Sequence, residues 1–116
     1  MTPQQAQLVD RLRASLASDA SVREVSMFGG RSFMVEERMI ASALKSGDLL
    51  VRVAVDQHDE LTLMPGASQA TMGADRTMGR GWISVAAITI ASEEQLSFWI
   101  DIARAHHRAA TGTDRG

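Results

Sequence analysis

SMFGGRSFMVEERMIASALKSGDLLVRVAV, residues 26–55, is the stretch that decides the fold. It reads as three short strands in succession. Phe33 and Val35 alternate with Ser32 and Met34 over 31–35. Met39, Ala41 and Ala43 alternate with Ile40, Ser42 and Leu44 over 38–44, and Leu49 begins a β-branched and leucine run to 55. Ser46-Gly47-Asp48 is a turn by composition, whereas Glu36-Glu37 is a reversal without the Asn-Gly or Asp-Gly signature, so its turn type stays open. Turns this short join antiparallel neighbours. Gly29-Gly30 opens the stretch. A bulge or corner explains two glycines, because glycine accepts positive φ without a Cβ clash. The alternative is an anion-binding nest with Arg31 beside it, although no P-loop lysine or serine follows.

Upstream, 22–27 alternates as a further strand, and Pro3 after Thr2 starts a helix whose Leu8, Leu12 and Leu16 form one apolar stripe, ending near 18–20. Downstream, Asp56 is expected to cap one or two turns of helix with Leu61 and Met64 inward, stopped by Pro65-Gly66. Residues 67–80 are irregular, extended segment and return, and 82–87 is the last strand. Ser92-Glu93-Glu94-Gln95 is a capping-box pattern, opening a helix over 93–109 with Leu96, Trp99, Ile100, Ala103 and His107 on its inner stripe. The fold class that follows is α+β, a two-layer sandwich: an antiparallel sheet of about five strands with the N- and C-terminal helices packed on one face. Residues 1–110 are expected to be a single domain and 111–116 a polar tail.

Composition narrows the function. The chain has 116 residues, 45% of them hydrophobic, and no cysteine, which excludes disulfides, thiolate metal sites and a cysteine nucleophile. No apolar run approaches the ~20 residues of a membrane helix, and no signal-peptide pattern follows Met1, so a cytoplasmic location is expected. Net charge is −2, from 12 basic and 14 acidic residues mixed in sign. His58, His106 and His107 show no metal spacing and read as surface or helix-end histidines, the last two near a helix C-terminus. The carboxylate pairs Glu36-Glu37, Asp59-Glu60 and Glu93-Glu94 lie in a turn, a short helix and a cap, not in an acid/base arrangement. No catalytic residue, cofactor or metal is therefore expected. Seven methionines against three phenylalanines and no tyrosine suggest core filling more than a plastic binding surface. Arg52, in step with Leu50, is expected to reach solvent.

The ordered series Met27-Phe28-Gly29-Gly30, Phe33-Met34-Val35, Leu50-Val51-Arg52-Val53, Pro65-Gly66-Ala67, Met78-Gly79-Arg80-Gly81-Trp82 and Trp99 in the last helix resembles the TfoX/Sxy N-terminal domain family over about residues 8–109. The resemblance implies an α+β domain related to small secretion-chaperone-like proteins. The family's namesake regulates natural competence in bacteria, and this chain is similar to stand-alone members without the regulator's C-terminal helical domain. Many relatives carry an Asn-Gly-type turn where this chain has Glu36-Glu37. No catalytic residues come with the family.

Three functional expectations follow. The first is a small, non-enzymatic cytosolic interaction module, regulatory by resemblance only, acting through protein contact with an unidentified partner or, most simply, a second copy. The second is nucleic-acid association through Arg31, Arg52, Arg76 and Arg80, disfavoured by the charge balance. The third is a small anion or ligand site at Gly29, Gly30 and Arg31.

Overall fold

The structure, a computed structural model, describes residues 2–17, 22–27, 30–71 and 76–111. Helix α1 spans Pro3–Ser15. Strands β1 (Val22–Met27), β2 (Gly30–Val35), β3 (Arg38–Ala43) and β4 (Leu49–Arg52) follow. A 3₁₀ turn at Val55–Gln57 leads into the short helix α2 (His58–Leu61). Then come β5 (Ala67–Gln69), β6 (Trp82–Val85), a 3₁₀ turn at Ala87–Ile90 and helix α3 (Glu93–Thr111). All pairings are antiparallel, in the order β1-β2-β3-β4-β6-β5. The sheet has six strands where about five were expected. The additional one, β5, has three residues of weak strand propensity and is held by pairing with β6.

Both long helices start as the sequence dictates. The Thr2 hydroxyl accepts from the Gln5 amide at 3.1 Å, ahead of Pro3. At α3 the capping box is reciprocal: Gln95 N–H donates to Ser92 Oγ at 3.1 Å and Ser92 N–H to Gln95 Oε1 at 3.0 Å. Leu8, Val9, Leu12 and Leu16 join Leu96, Trp99, Ile100 and Ala103 over Phe33, Val35, Ala41, Ala43, Leu49, Val51, Ile83 and Val85 in one core. The helices are tied to each other by Arg104, which donates to the Ser15 carbonyl, and Arg11, which donates to the Ser92 carbonyl. The Thr2 hydroxyl also donates to the Lys45 carbonyl, anchoring α1 on the β3–β4 turn. Gly47 is needed there: its φ is +89°, and a Cβ would sit 2.7 Å from Gln4 Cβ.

The other sheet face carries Val25, Ser32, Ser42, Leu50 and Ser84 in one row across five strands. Ser32 Oγ donates to Ser42 Oγ at 3.1 Å. Gly30 belongs to this face. A Cβ there would lie 2.7 Å from Ser42 Oγ, so the second glycine of the pair serves close strand packing within β2. Gly29 lies outside the described residues, as do 112–116 and Met72.

Several local expectations need correction. Asp56 caps nothing: α2 begins at His58 after a 3₁₀ turn, and no side chain bonds its N-terminus. A four-residue helix carries so little dipole and so few free amides that packing of Leu61 positions it instead. Met64 is exposed, because the chain has already turned at 62–63. Helix α1 ends at Ser15, earlier than expected. None of the methionines Met34, Met39, Met64 and Met78 is fully buried, so they do not fill the core. His58 is no surface residue: it is buried, and its Nδ1 accepts from the Gly81 amide at 2.8 Å.

Candidate functional site

A single inserted residue creates a cleft at one end of the sheet. Phe33 pairs with Ala41 but Met34 pairs with Met39, so Ile40 is the extra residue of a bulge in β3. The β3–β4 ladder stops at Ala41↔Val51, although β3 begins at Arg38 and β4 ends at Arg52. Beyond that point β4 follows β6: Arg52 opposes Trp82, and the Val53 amide donates to the Gly81 carbonyl at 2.8 Å. Gly81 permits this approach, since at φ +99° a Cβ would lie 2.9 Å from the Val53 oxygen. The strands thus diverge, leaving a cleft of about 480 Å³. Met34, Met39, Ile40 and Trp82 supply its apolar lining. Arg38 and Arg52 enter from the two diverging strands, and His106, His107 and Ala110 from the last turns of α3.

Electrostatics distinguish this cleft from the rest of the surface. Arg11, Arg13, Arg23, Arg31, Arg80 and Arg104 each pair with a carboxylate. Among the described residues, Arg38 and Arg52 have no ion pair, and neither has the exposed Arg76, which lies outside the cleft. Arg52 instead lies over the Trp82 ring, 4.8 Å from its centroid, a cation–π contact that fixes the guanidinium at the cleft. Burial is the largest of the effects that hold the His106 imidazole below its ordinary range, and Arg52, His107 and Arg38 add to it, against a small opposite effect of Asp56. His107, buried, meets Glu36 Oε1 at 3.0 Å.

That contact explains an unusual turn. Glu36 and Glu37 both have positive φ, 52° and 66°, the geometry that Asn-Gly sequences supply without strain. Here the side chains hold the turn: Glu36 meets His107 on α3, and Glu37 receives a bidentate pair from Arg23 at 2.6 and 3.0 Å. The Arg23 hydrogen bonds also hold the Glu37 carboxyl below its usual range.

A second surface lies at the other end of α3. A groove of about 310 Å³ runs between Met64, Pro65 and Thr89 on one side and Glu94, Phe98 and Trp99 on the other. Leu63 is 85% exposed, Ile88 83% and Phe98 41%, whereas Trp99 is 3% exposed. Phe98 stands edge-on to Trp99, with centroids 5.2 Å apart. Gly66 lets the turn after α2 pack against Thr89 within one wall: its φ is +79°, and a Cβ would fall 2.2 Å from Thr89 Oγ1.

The structure separates most of the arginines singled out from sequence. Arg31 shares the helix-bearing face with Phe33 and pairs with Glu24 at 3.5 Å. Arg13 bonds the same carboxylate at 2.7 and 2.9 Å and is the main reason its pKa is lowered. Arg52 stands on the opposite face and at the opposite end of the strands. Arg80 makes a bidentate pair with Asp59 at 2.8 and 3.1 Å, but its neighbour Gly81 lies beside the Arg52 guanidinium. Arg76 is exposed. Arg38, His106 and Trp82 were not singled out as site residues, because the bulge that gathers them leaves no mark in the alternation pattern. Among the described residues no group of three or more histidines and carboxylates could hold a metal ion, and no helix is long and apolar enough to cross a membrane.

The sequence model of the TfoX N-terminal domain matches residues 14–107. The chain belongs to the TfoX N-terminal domain family. No curated protein matches it. A crystal structure of a protein from Pseudomonas syringae is similar in fold, with a TM-score of 0.60 and 15% sequence identity over 89% of this chain and 96% of that one. Membership of the family is consistent with a small regulatory domain.

Proposed function

We propose that this chain is a non-enzymatic interaction module that acts by protein–protein contact, and that the contact surface is the apolar patch beside α3. The observation that carries the reading is the exposed pair Met64 and Phe98 lining one apolar groove, with Leu63 and Ile88, next in sequence to the lining residues Met64 and Thr89, also exposed. Contiguous apolar surface of this kind costs solubility and is kept where a partner covers it. Phe98 sits at the centre, backed by the buried Trp99, which is the arrangement of an aromatic anchor. The simplest partner is a second copy of the chain. An isologous contact uses one patch twice, and a patch with a single carboxylate at its rim, Glu94, meets itself with little charge repulsion. On this reading the contact lies on α3 and not on a sheet edge. A regulatory role rests on family membership alone.

Light scattering against concentration tests the reading. The expected result is a mass that rises toward twice that of the chain, and that returns to the monomer in an Ile88→Glu/Phe98→Glu variant with unchanged circular dichroism. A strict monomer at the highest attainable concentration, or a dimer indifferent to both substitutions, would contradict self-association through this patch.

A further inference from the structure

We propose that the notch between β3 and β4 is a binding site for a small amphipathic anion, a carboxylate or sulfonate carried on an aromatic or alkyl body. Its volume, about 480 Å³, falls within the range of small-molecule pockets. Three features together point to this ligand class. The lining of Met34, Met39, Ile40 and Trp82 is apolar and, through the two thioethers, adaptable in shape. Among the described residues Arg38 and Arg52 stand at it without ion pairs, whereas Arg11, Arg13, Arg23, Arg31, Arg80 and Arg104 are paired. The Arg52 guanidinium is held over Trp82, so little side-chain entropy is lost when an anion meets it.

The charges facing His106 agree with that reading. Arg52 of β4, Arg38 of β3 and His107 of α3 all disfavour its protonation, opposed only by Asp56 from the turn after β4, and Glu36 is engaged by His107. An anion in the notch adds the missing negative charge. It therefore favours the imidazolium, and the His106 titration moves upward on binding. The site differs in place and chemistry from the apolar groove beside Phe98, and its occupancy is independent of self-association.

The probes are 4-phenylbutyrate and its neutral amide, followed by NMR at the Trp82 indole N–H and the His106 ring. The acid is expected to bind at least about tenfold more tightly than the amide, since charge-assisted hydrogen bonds contribute more than the ~1.4 kcal/mol that a tenfold ratio needs. Binding of the acid should raise the His106 titration midpoint. Arg52→Gln and Arg38→Gln should each weaken the acid by about tenfold and leave the amide unchanged, while Phe98→Glu leaves both unchanged. Equal affinity for acid and amide, shifts centred on Trp99 in place of Trp82, or no shift at saturating probe would each overturn the proposal.

Discussion

The two ends of α3 face solvent in opposite ways. At the N-terminal end, Phe98 and Met64 line a groove over the buried Trp99, and Ile88 and Leu63, next in sequence to lining residues, are exposed. At the C-terminal end, His106 and His107 lie against a cleft whose apolar residues are recessed and whose rim is cationic. One helix, with one continuous buried stripe, serves both. The difference teaches that what surrounds the helix decides the chemistry: a glycine turn and a 3₁₀ turn build the first surface, and a β-bulge with its splayed strands builds the second. The first suits a protein surface of like polarity. The second suits a ligand that carries charge.

The comparison can be tested by substitutions of decreasing effect. Trp99→Ala removes a fully packed aromatic and is expected to cost about 3–5 kcal/mol in denaturant unfolding. Its neighbour Phe98→Ala costs about 1 kcal/mol, mostly the lost edge-to-face contact. Equal costs would mean that Phe98 is core and not contact surface. Gly66→Ala forces a Cβ against Thr89 at positive φ and is expected to cost about 1–3 kcal/mol, while spreading the groove and weakening self-association. At the other end, Glu37→Gly relieves a positive-φ residue and loses only an exposed pair with Arg23, so the thermal midpoint should rise by a few degrees. A fall would show that the Arg23 pair outweighs the strain.

The smallest effect is a pH dependence. Burial and the nearby arginines lower the His106 pKa on folding, so the unfolded chain binds more protons. That contribution is fully present above the ordinary histidine value, about 6.5, and is lost as pH falls from there through the folded value. His106→Asn should flatten the stability profile in that window. A profile unchanged by the substitution would place the acid sensitivity elsewhere.

Much of the fold was legible because its signals are local. Thr2-Pro3, the Ser92–Gln95 box and the stripe from Leu96 to His107 each announce an element by chemistry within one or two turns. The first four strands announce themselves by alternation and by short turns. Strand β5 did not, since Ala-Ser-Gln owes its conformation to β6. The site was far less legible. Sequence reasoning found Arg52 and put it on the solvated face without a carboxylate partner, but not against Trp82, which lies 30 residues on and is joined only by the β4–β6 register. Arg31 and Arg80 looked available but are engaged by Glu24 and Asp59, partners set by tertiary packing. The bulge at Ile40 is invisible to an alternation count, yet it opens the cleft. His58 looked like a surface residue because the acceptor role of its Nδ1 toward Gly81 is a long-range contact.

The most direct test uses the absence of cysteine, which makes single-cysteine variants unambiguous. Ile88→Cys places a thiol at an exposed apolar position next in sequence to Thr89 of the groove, and Ala110→Cys places one at the rim of the cationic cleft. Under mild oxidation at dilute concentration, Ile88→Cys is expected to form a disulfide dimer much faster than Ala110→Cys, and Phe98→Glu is expected to abolish that advantage. Equal rates, or a faster Ala110→Cys, would contradict the assignment of the apolar patch as the contact surface.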